Sequence, residues 1–257
     1  MKSLTSYISI FCIFFIFSCS SDEDSNKNSI QDHENVFVKS YTLKNSRGTY
    51  RVNYEYNDTK LSKIKYAVDE SFDLYSYTND LITKIEHFKN DSIKTESTVF
   101  EYNSNQKLTR ETTYEVRDGN QLVFDYQYSY PSESMIKVQF NSVAEDGTNH
   151  SYLKEITLND QEIEKHIYII NNYTTTFTYD VAKNPFKNIL GFNKLFISEY
   201  FGENGNFRNV VSKIYGNNYT EQSYRYNVDN YPTEVIVKFY EDNNLLDTSV
   251  INYTYSE

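Results

Sequence analysis

The sequence predicts an all-β protein: an antiparallel meander of about seven to nine repeated β-hairpins forming an elongated, curved or partly rolled sheet, with one short helix near 185–200. Three observations lead there. An aromatic-x-Tyr doublet recurs along the 257 residues. Apolar and polar side chains alternate around each doublet. Asn and Asp mark the turns in a chain that has only 7 Gly and 3 Pro.

The doublet is followed by Asn or Asp and then by an aliphatic residue. Its copies are Tyr54-Glu55-Tyr56, Tyr75-Ser76-Tyr77, Phe100-Glu101-Tyr102, Tyr126-Gln127-Tyr128, Phe177-Thr178-Tyr179, Tyr224-Arg225-Tyr226 and Tyr253-Thr254-Tyr255. The second tyrosines of the first four copies lie 21, 25 and 26 residues apart. A period of that size signals an array of supersecondary units. Leu122, Phe124, Tyr126, Tyr128 and Tyr130 fall on one face of an extended chain, while Val123, Asp125, Gln127 and Ser129 take the other, the period-2 signature of a strand. Asn57-Asp58, Asn79-Asp80 and Asn103-Ser104-Asn105 tolerate positive φ and form Asx turns, so each unit reads as a hairpin.

Composition says what holds such units together. Tyrosine contributes 26 residues, and without them the apolar share of the chain, glycine included, falls to about a third, against ~45–50% in ordinary domains. A thick aliphatic core is therefore excluded. Disorder is excluded too, because 17% aromatic residues is the wrong composition for a chain unable to bury surface. A tyrosine ring covers a half-buried pleated face while its hydroxyl can remain wet. With 36 acidic against 25 basic residues and a net charge of −11, the chain lacks the footprint of a nucleic-acid binder.

Tyr102-Asn103-Ser104-Asn105-Gln106-Lys107-Leu108-Thr109 resembles a degenerate YD (RHS-like) repeat, and Phe177-Thr178-Tyr179-Asp180 with Asn184-Pro185-Phe186 is similar to segments of secreted Bacteroides-group lipoproteins that carry such repeats. The resemblance covers most of residues 40–255 and implies a secreted β-repeat protein. Every copy lacks the Gly-Arg step of that pattern, so an open curved sheet is expected here rather than a closed shell. Asn184-Pro185 reads as an N-cap and first helical residue. Phe186, Ile189, Leu190 and Phe196 then recur near helical spacing, suggesting a short helix that covers a sheet edge.

At the N-terminus, Lys2 and the apolar run Ile8–Phe17 have the form of an export signal, too short to span a bilayer. Ile16-Phe17-Ser18-Cys19 resembles the lipobox of bacterial lipoproteins, which implies acylation of Cys19. The acidic Asp22-Glu23-Asp24 that follows resembles the surface-export signal of Bacteroides-group outer-membrane lipoproteins. The expected organisation is a lipoprotein signal peptide over 1–18, an acylated Cys and flexible acidic tether over 19–35, and a single β-repeat domain over 36–257. Cys12 would leave with the signal, so no disulfide is expected in the mature chain.

Candidate chemistry is sparse. The four histidines, His33, His87, His150 and His166, show no zinc-ligand spacing, and no GxSxG elbow or phosphate loop is present. No catalytic residue and no metal or other cofactor is assigned. Glu145-Asp146-Gly147 and Glu203-Asn204-Gly205-Asn206 resemble fragments of oxygen-rich calcium loops, but each is too short and reads more simply as a turn. Asp91-Ser92-Ile93 resembles the O-glycosylation acceptor of Bacteroides-group exported proteins, with Ser92 as acceptor. Tyr77, Tyr128 and Tyr226 are candidates for stacking on a ligand, the alternative being that they pack on one another as cross-strand pairs.

These readings favour a membrane-anchored lipoprotein of the outer membrane, exposed at the cell surface. It would act as a non-enzymatic binding or envelope-interaction module with a glycan or protein partner and no nucleic acid. The alternative is a surface hydrolase acting on polysaccharide or peptide. A third reading, a carrier of apolar ligands, requires a dry aliphatic cavity that the low aliphatic content argues against.

Overall fold

The computed structural model describes residues 36–256 apart from 91–92, 118–119, 145 and 202–204. Sixteen strands follow in order: β1 (Val38–Asn45), β2 (Gly48–Asn57), β3 (Lys60–Tyr66), β4 (Phe72–Thr78), β5 (Leu81–Lys89), β6 (Ile93–Tyr102), β7 (Leu108–Arg117), β8 (Asn120–Ser132), β9 (Met135–Val143), β10 (Asn149–Asn159), β11 (Glu162–Tyr168), β12 (Tyr173–Tyr179), β13 (Val210–Tyr215), β14 (Asn218–Tyr226), β15 (Pro232–Glu241) and β16 (Asn244–Tyr255). Each strand pairs antiparallel with its sequence neighbours, and β1 also pairs with β16, which closes the sheet into a barrel. That seam runs from Val38↔Tyr255 to Lys44↔Val250.

Closure overturns the expected elongated, curved or partly rolled sheet. A meander of this length leaves two rows of unpaired backbone groups if it stays open, and a barrel removes both. No covering helix is then required. The short helix expected near 185–200 is likewise corrected: the only helical element among the described residues is the 3-10 turn Phe192–Lys194. Around it the chain makes successive three-residue turns, Ile189 N–H to Phe186 O, Phe192 N–H to Ile189 O and Leu195 N–H to Phe192 O. Gly191 breaks any regular helix there with φ 78°, and a Cβ on it would lie 2.7 Å from the Asp80 carbonyl oxygen.

The tyrosine repeat has a definite structural role. A register shift falls just before the second tyrosine of the doublet at Glu55/Tyr56, Ser76/Tyr77, Glu101/Tyr102, Thr178/Tyr179 and Arg225/Tyr226. At this rim the hydroxyl of an even-strand tyrosine meets the backbone at the start of the preceding odd strand. Tyr56 donates to Val38 O at 2.9 Å, Tyr102 to Ile82 O at 2.7 Å and Tyr130 to Leu108 O at 2.7 Å. Tyr179 donates to Ile163 O, Tyr224 to Val210 O and Tyr255 to Pro232 O, while Tyr77 Oη accepts from Leu61 N–H. Each latch gives a backbone group at the rim a side-chain partner, as buried main-chain groups require. On β8 the latch is Tyr130 rather than Tyr128, and on β14 it is Tyr224 rather than Tyr226. β10 carries Leu158 at the corresponding place.

Doublet residues and those in phase with them face inward. Val38, Leu61, Ile82, Ile85, Leu108, Ile136, Val138 and Ile156 form a thin buried layer, against which the doublet tyrosines pack. The intervening positions face outward and carry ion pairs, across strands at Lys65–Glu55, Arg110–Asp125, Lys137–Glu155 and Arg225–Glu234 and along β5 at Lys84–Glu86. The turns follow the Asx chemistry read from the sequence. Asp58, Asn79, Asn90, Asn172 and Asn230 take positive φ, and Asp160-Gln161 and Asp242-Asn243 do so in consecutive pairs. Asn103 Oδ1 accepts the N–H of Asn105 and Lys107.

Candidate functional site

A barrel of sixteen strands is wide enough to leave a channel, and here the described residues of the segment between β12 and β13, 180–201 and 205–209, occupy one end of it. Three acidic side chains hold this plug. Glu111 on β7 accepts the Ser198 hydroxyl at 2.8 Å, the Glu199 and Tyr200 N–H groups at 3.1 and 3.0 Å, and the Tyr128 hydroxyl at 2.9 Å. Glu162 on β11 accepts three successive amides, Asn206 at 2.7 Å and Phe207 and Arg208 at 2.8 Å. Asp180 gathers the N–H groups of Ala182 and Asn209, the Asn209 side-chain amide and the Tyr226 hydroxyl. Asn188 also ties the plug to Val36 O and Tyr231 Oη, and Lys154 pairs with Glu199.

These acids do the work of a missing ladder. A segment that crosses a lumen without regular structure brings unpaired N–H groups with it, each costly to bury alone, and a buried carboxylate accepts several at once. Glu111 and Glu162 are each 1% exposed. Burial raises the Glu111 carboxyl above its ordinary value, against the opposing pull of the Ser198 and Tyr128 hydroxyls, the Tyr200 amide and the Lys154 ammonium.

Above the plug, one level of the inner wall carries titratable groups on four neighbouring strands. Asp73 on β4 is the register partner of His87 on β5, His87 of Glu96 on β6, and Glu96 of Glu115 on β7. Asp73 is buried, its Oδ1 lying 2.6 Å from His87 Nδ1, while its Oδ2 accepts the hydroxyls of Tyr66 at 2.7 Å and Tyr200 at 3.2 Å. The imidazole is held by one nitrogen, with its side chain 34% exposed. Glu96 has its carboxyl raised by burial and then by the neighbouring charge of Glu115. Burial also lifts the Tyr66 and Tyr200 phenols, with Asp73 adding to both. Among the described residues no serine or cysteine hydrogen-bonds the His87 ring, and no three His, Cys, Asp or Glu side chains are placed to hold a metal ion.

Next around the wall, rings replace acids. Phe124 and Tyr126 on β8 contact Phe140 on β9, Phe140 stacks on Tyr152 of β10 at 4.6 Å, and Tyr152 meets Tyr168 of β11 at 5.4 Å. On the outer wall a polar groove of about 610 Å³ is lined by Glu101, Thr109, Arg110, Gln127, Lys137 and Gln139.

The three tyrosines singled out from sequence lie on β4, β8 and β14, which are not neighbours, so the fold does not bring them together. Tyr77 takes part in a rim latch, Tyr128 is buried with its hydroxyl on Glu111, and Tyr226 is on Asp180, 38% exposed. Cys19, Asp22, Glu23, Asp24 and Ser92, together with Glu145, Glu203 and Asn204 of the two acidic turns, lie outside the described residues. Sequence reasoning missed Asp73, Glu96, Glu111 and Glu162. Two of them were within reach: Asp73 is in phase with Tyr75 and Tyr77, and Glu96 with Phe100 and Tyr102, so each is an acid on the tyrosine face.

No family model matches the chain, and no curated protein matches it. Among solved structures, it is similar to a porin-like protein from Bacteroides uniformis, with 13% identity over 85% of this chain and 96% of that one and a TM-score of 0.37. A likeness that slight carries no argument about function. What the coordinates define is a class of architecture: a closed sixteen-stranded meander, tyrosine-lined and plugged from within.

Proposed function

We propose that the chain is a lipid-tethered, non-enzymatic binding or envelope-interaction module of the outer membrane, whose barrel stands in water at the cell surface instead of spanning the bilayer. The observation that carries the reading is the outer wall. A membrane barrel turns apolar residues outward and polar residues inward. This one turns Lys65, Lys84, Arg110, Lys137 and Arg225 outward, in pairs with Glu55, Glu86, Asp125, Glu155 and Glu234. At roughly 2–4 kcal/mol for a Lys or Arg at mid-bilayer, four such residues at that depth would consume the ~5–15 kcal/mol net stability of a domain. The resemblance of residues 16–24 to a lipobox and surface-export signal supplies the attachment. The polar groove on the outer wall, with its amide and charged side chains, suits a glycan or protein partner.

Replacing Cys19 by Ala tests the reading. The variant is expected to leave the membrane fraction and remain folded in buffer without detergent; a barrel that stays in the membrane, or needs detergent to stay folded, overturns it. Neutralising Asp22, Glu23 and Asp24 together is expected to hide the protein from external protease, and undiminished cleavage on intact cells would remove the export role. A second reading, the surface hydrolase, has the Asp73–His87 pair and Glu96 in its favour. It requires the purified barrel to cleave a polysaccharide or peptide, and Glu96→Gln to abolish that cleavage.

A further inference from the structure

We infer that the barrel binds a medium-chain fatty acid in an apolar pocket at the seam between plug and rim, at the one even strand where the tyrosine latch is missing. Seven of the eight even strands close this rim with a tyrosine hydroxyl on the preceding strand. β10 carries Leu158 instead, and a cavity of about 320 Å³ opens beside it. Its floor is Leu108, Ile136, Leu158 and Ile197, with Phe196 and Phe207 from the plug along the side. A ring at 158 aimed at the start of β9, as the other latches are aimed at their own neighbours, would cross that space. The gap in the repeat and the hole in the wall are therefore one feature.

The occupant follows from size and charge. At about 30 Å³ per water-sized group, the cavity takes on the order of ten non-hydrogen atoms. Carbon makes up the larger part of its lining, and the side-chain amides of Asn105, Gln106, Gln161, Asn193 and Asn206 supply much of the rest. Its mouth carries two ammonium groups, Lys107 and Lys194, against one carboxylate, Glu133. The Lys107 ammonium is held over the Tyr130 ring, 4.8 Å from its centre. Phe207 is 37% exposed, a large ring left at the entrance. A single-chain carboxylate with its tail inward and its head between the lysines satisfies both parts, and octanoate has the right atom count. This inference does not depend on where the protein resides or on its tether.

The test is titration calorimetry of the purified chain with octanoate, octan-1-ol and octylamine. Octanoate is expected to bind with one-to-one stoichiometry and roughly tenfold or more tighter than the alcohol or the amine, a difference of ~1.4 kcal/mol. Leu158→Tyr fills the cavity and should weaken octanoate by about tenfold or more, since several methylenes lose their burial. Lys194→Gln should cost octanoate about threefold and leave octanol unchanged. Should Leu158→Tyr fail to fold by circular dichroism, Phe207→Ala, at the exposed entrance, is expected to weaken octanoate about threefold. Failure of wild type to bind octanoate, equal affinity for octanoate and octylamine, or unaltered octanoate affinity in whichever of Leu158→Tyr and Phe207→Ala folds would overturn the inference.

Discussion

The two faces of this one sheet are built on opposite principles. Inward, strands present tyrosine, a thin layer of Val, Ile and Leu, and a few acids already committed to hydrogen bonds. Outward, the same strands present Lys, Arg, Glu, Asp and Gln in pairs. The inner face is where stability resides, because an unsatisfied group there costs its full desolvation. The outer face sets what surrounds the barrel, since exposed ion pairs add at most ~1 kcal/mol each in water yet weigh heavily against lipid.

That contrast can be broken most violently by pH. Burial raises the phenols of the inner wall above the ordinary value of 10.0: those of Tyr77 and Tyr126 to about 12, and those of Tyr54, Tyr75 and Tyr128 well above it. Their contribution is fully present below pH 10 and is lost as pH rises through the folded values, at ~1.4 kcal/mol per unit for each tyrosine still protonated in the fold and ionised in the unfolded chain. The barrel should therefore unfold in one step between pH 10 and 12, with phenolate absorbance and loss of sheet dichroism rising together. Phenols that titrate independently while the sheet persists would contradict a buried tyrosine face.

Single substitutions grade the comparison further. Glu111→Ala leaves four donors of the plug and wall without their acceptor, and urea unfolding should show a loss of about 3–5 kcal/mol. A change under 1 kcal/mol would mean the plug is held elsewhere. Tyr102→Phe removes one latch while keeping the ring, so about 1 kcal/mol is expected, and the same change at Tyr114, which faces outward, should be nearly silent. Least of all, Lys65→Ala on the outer wall should shift stability by only a few tenths, and salt should erase even that.

Much of the strand pattern could be read without coordinates, because alternation and Asx turns are local. Tyr126, Tyr128 and Tyr130 share a face for the same reason any i, i+2, i+4 set does, and Asp58 and Asn79 turn because their side chains tolerate positive φ. Naming Tyr77, Tyr128 and Tyr226 as candidates for ligand stacking or for cross-strand packing carries no sign of the segment between β12 and β13 that enters the barrel, because that segment lies apart from each of them in sequence. The apolar spacing of Asn184–Phe196 reads as helical, but it is set by the irregular space the segment enters: Ile189, Phe192 and Leu195 are buried, Leu190 N–H bonds Thr59 O, and the 3-10 turn meets β5, more than a hundred residues away in sequence. Glu111 and Glu162 looked like two of 36 acids, since nothing local distinguishes an acid that will cap a distant amide.

The chain's own chemistry thus determined the rungs: which residues extend, which reverse, and which side chains share a face. Closure was a tertiary decision. Whether β1 meets β16 depends on the accumulated twist and stagger of sixteen pairings, a sum over the whole sheet that no single repeat contains. The same holds for the plug and for the opening at Leu158, which exist only because the ends of the sheet have met and enclosed a space.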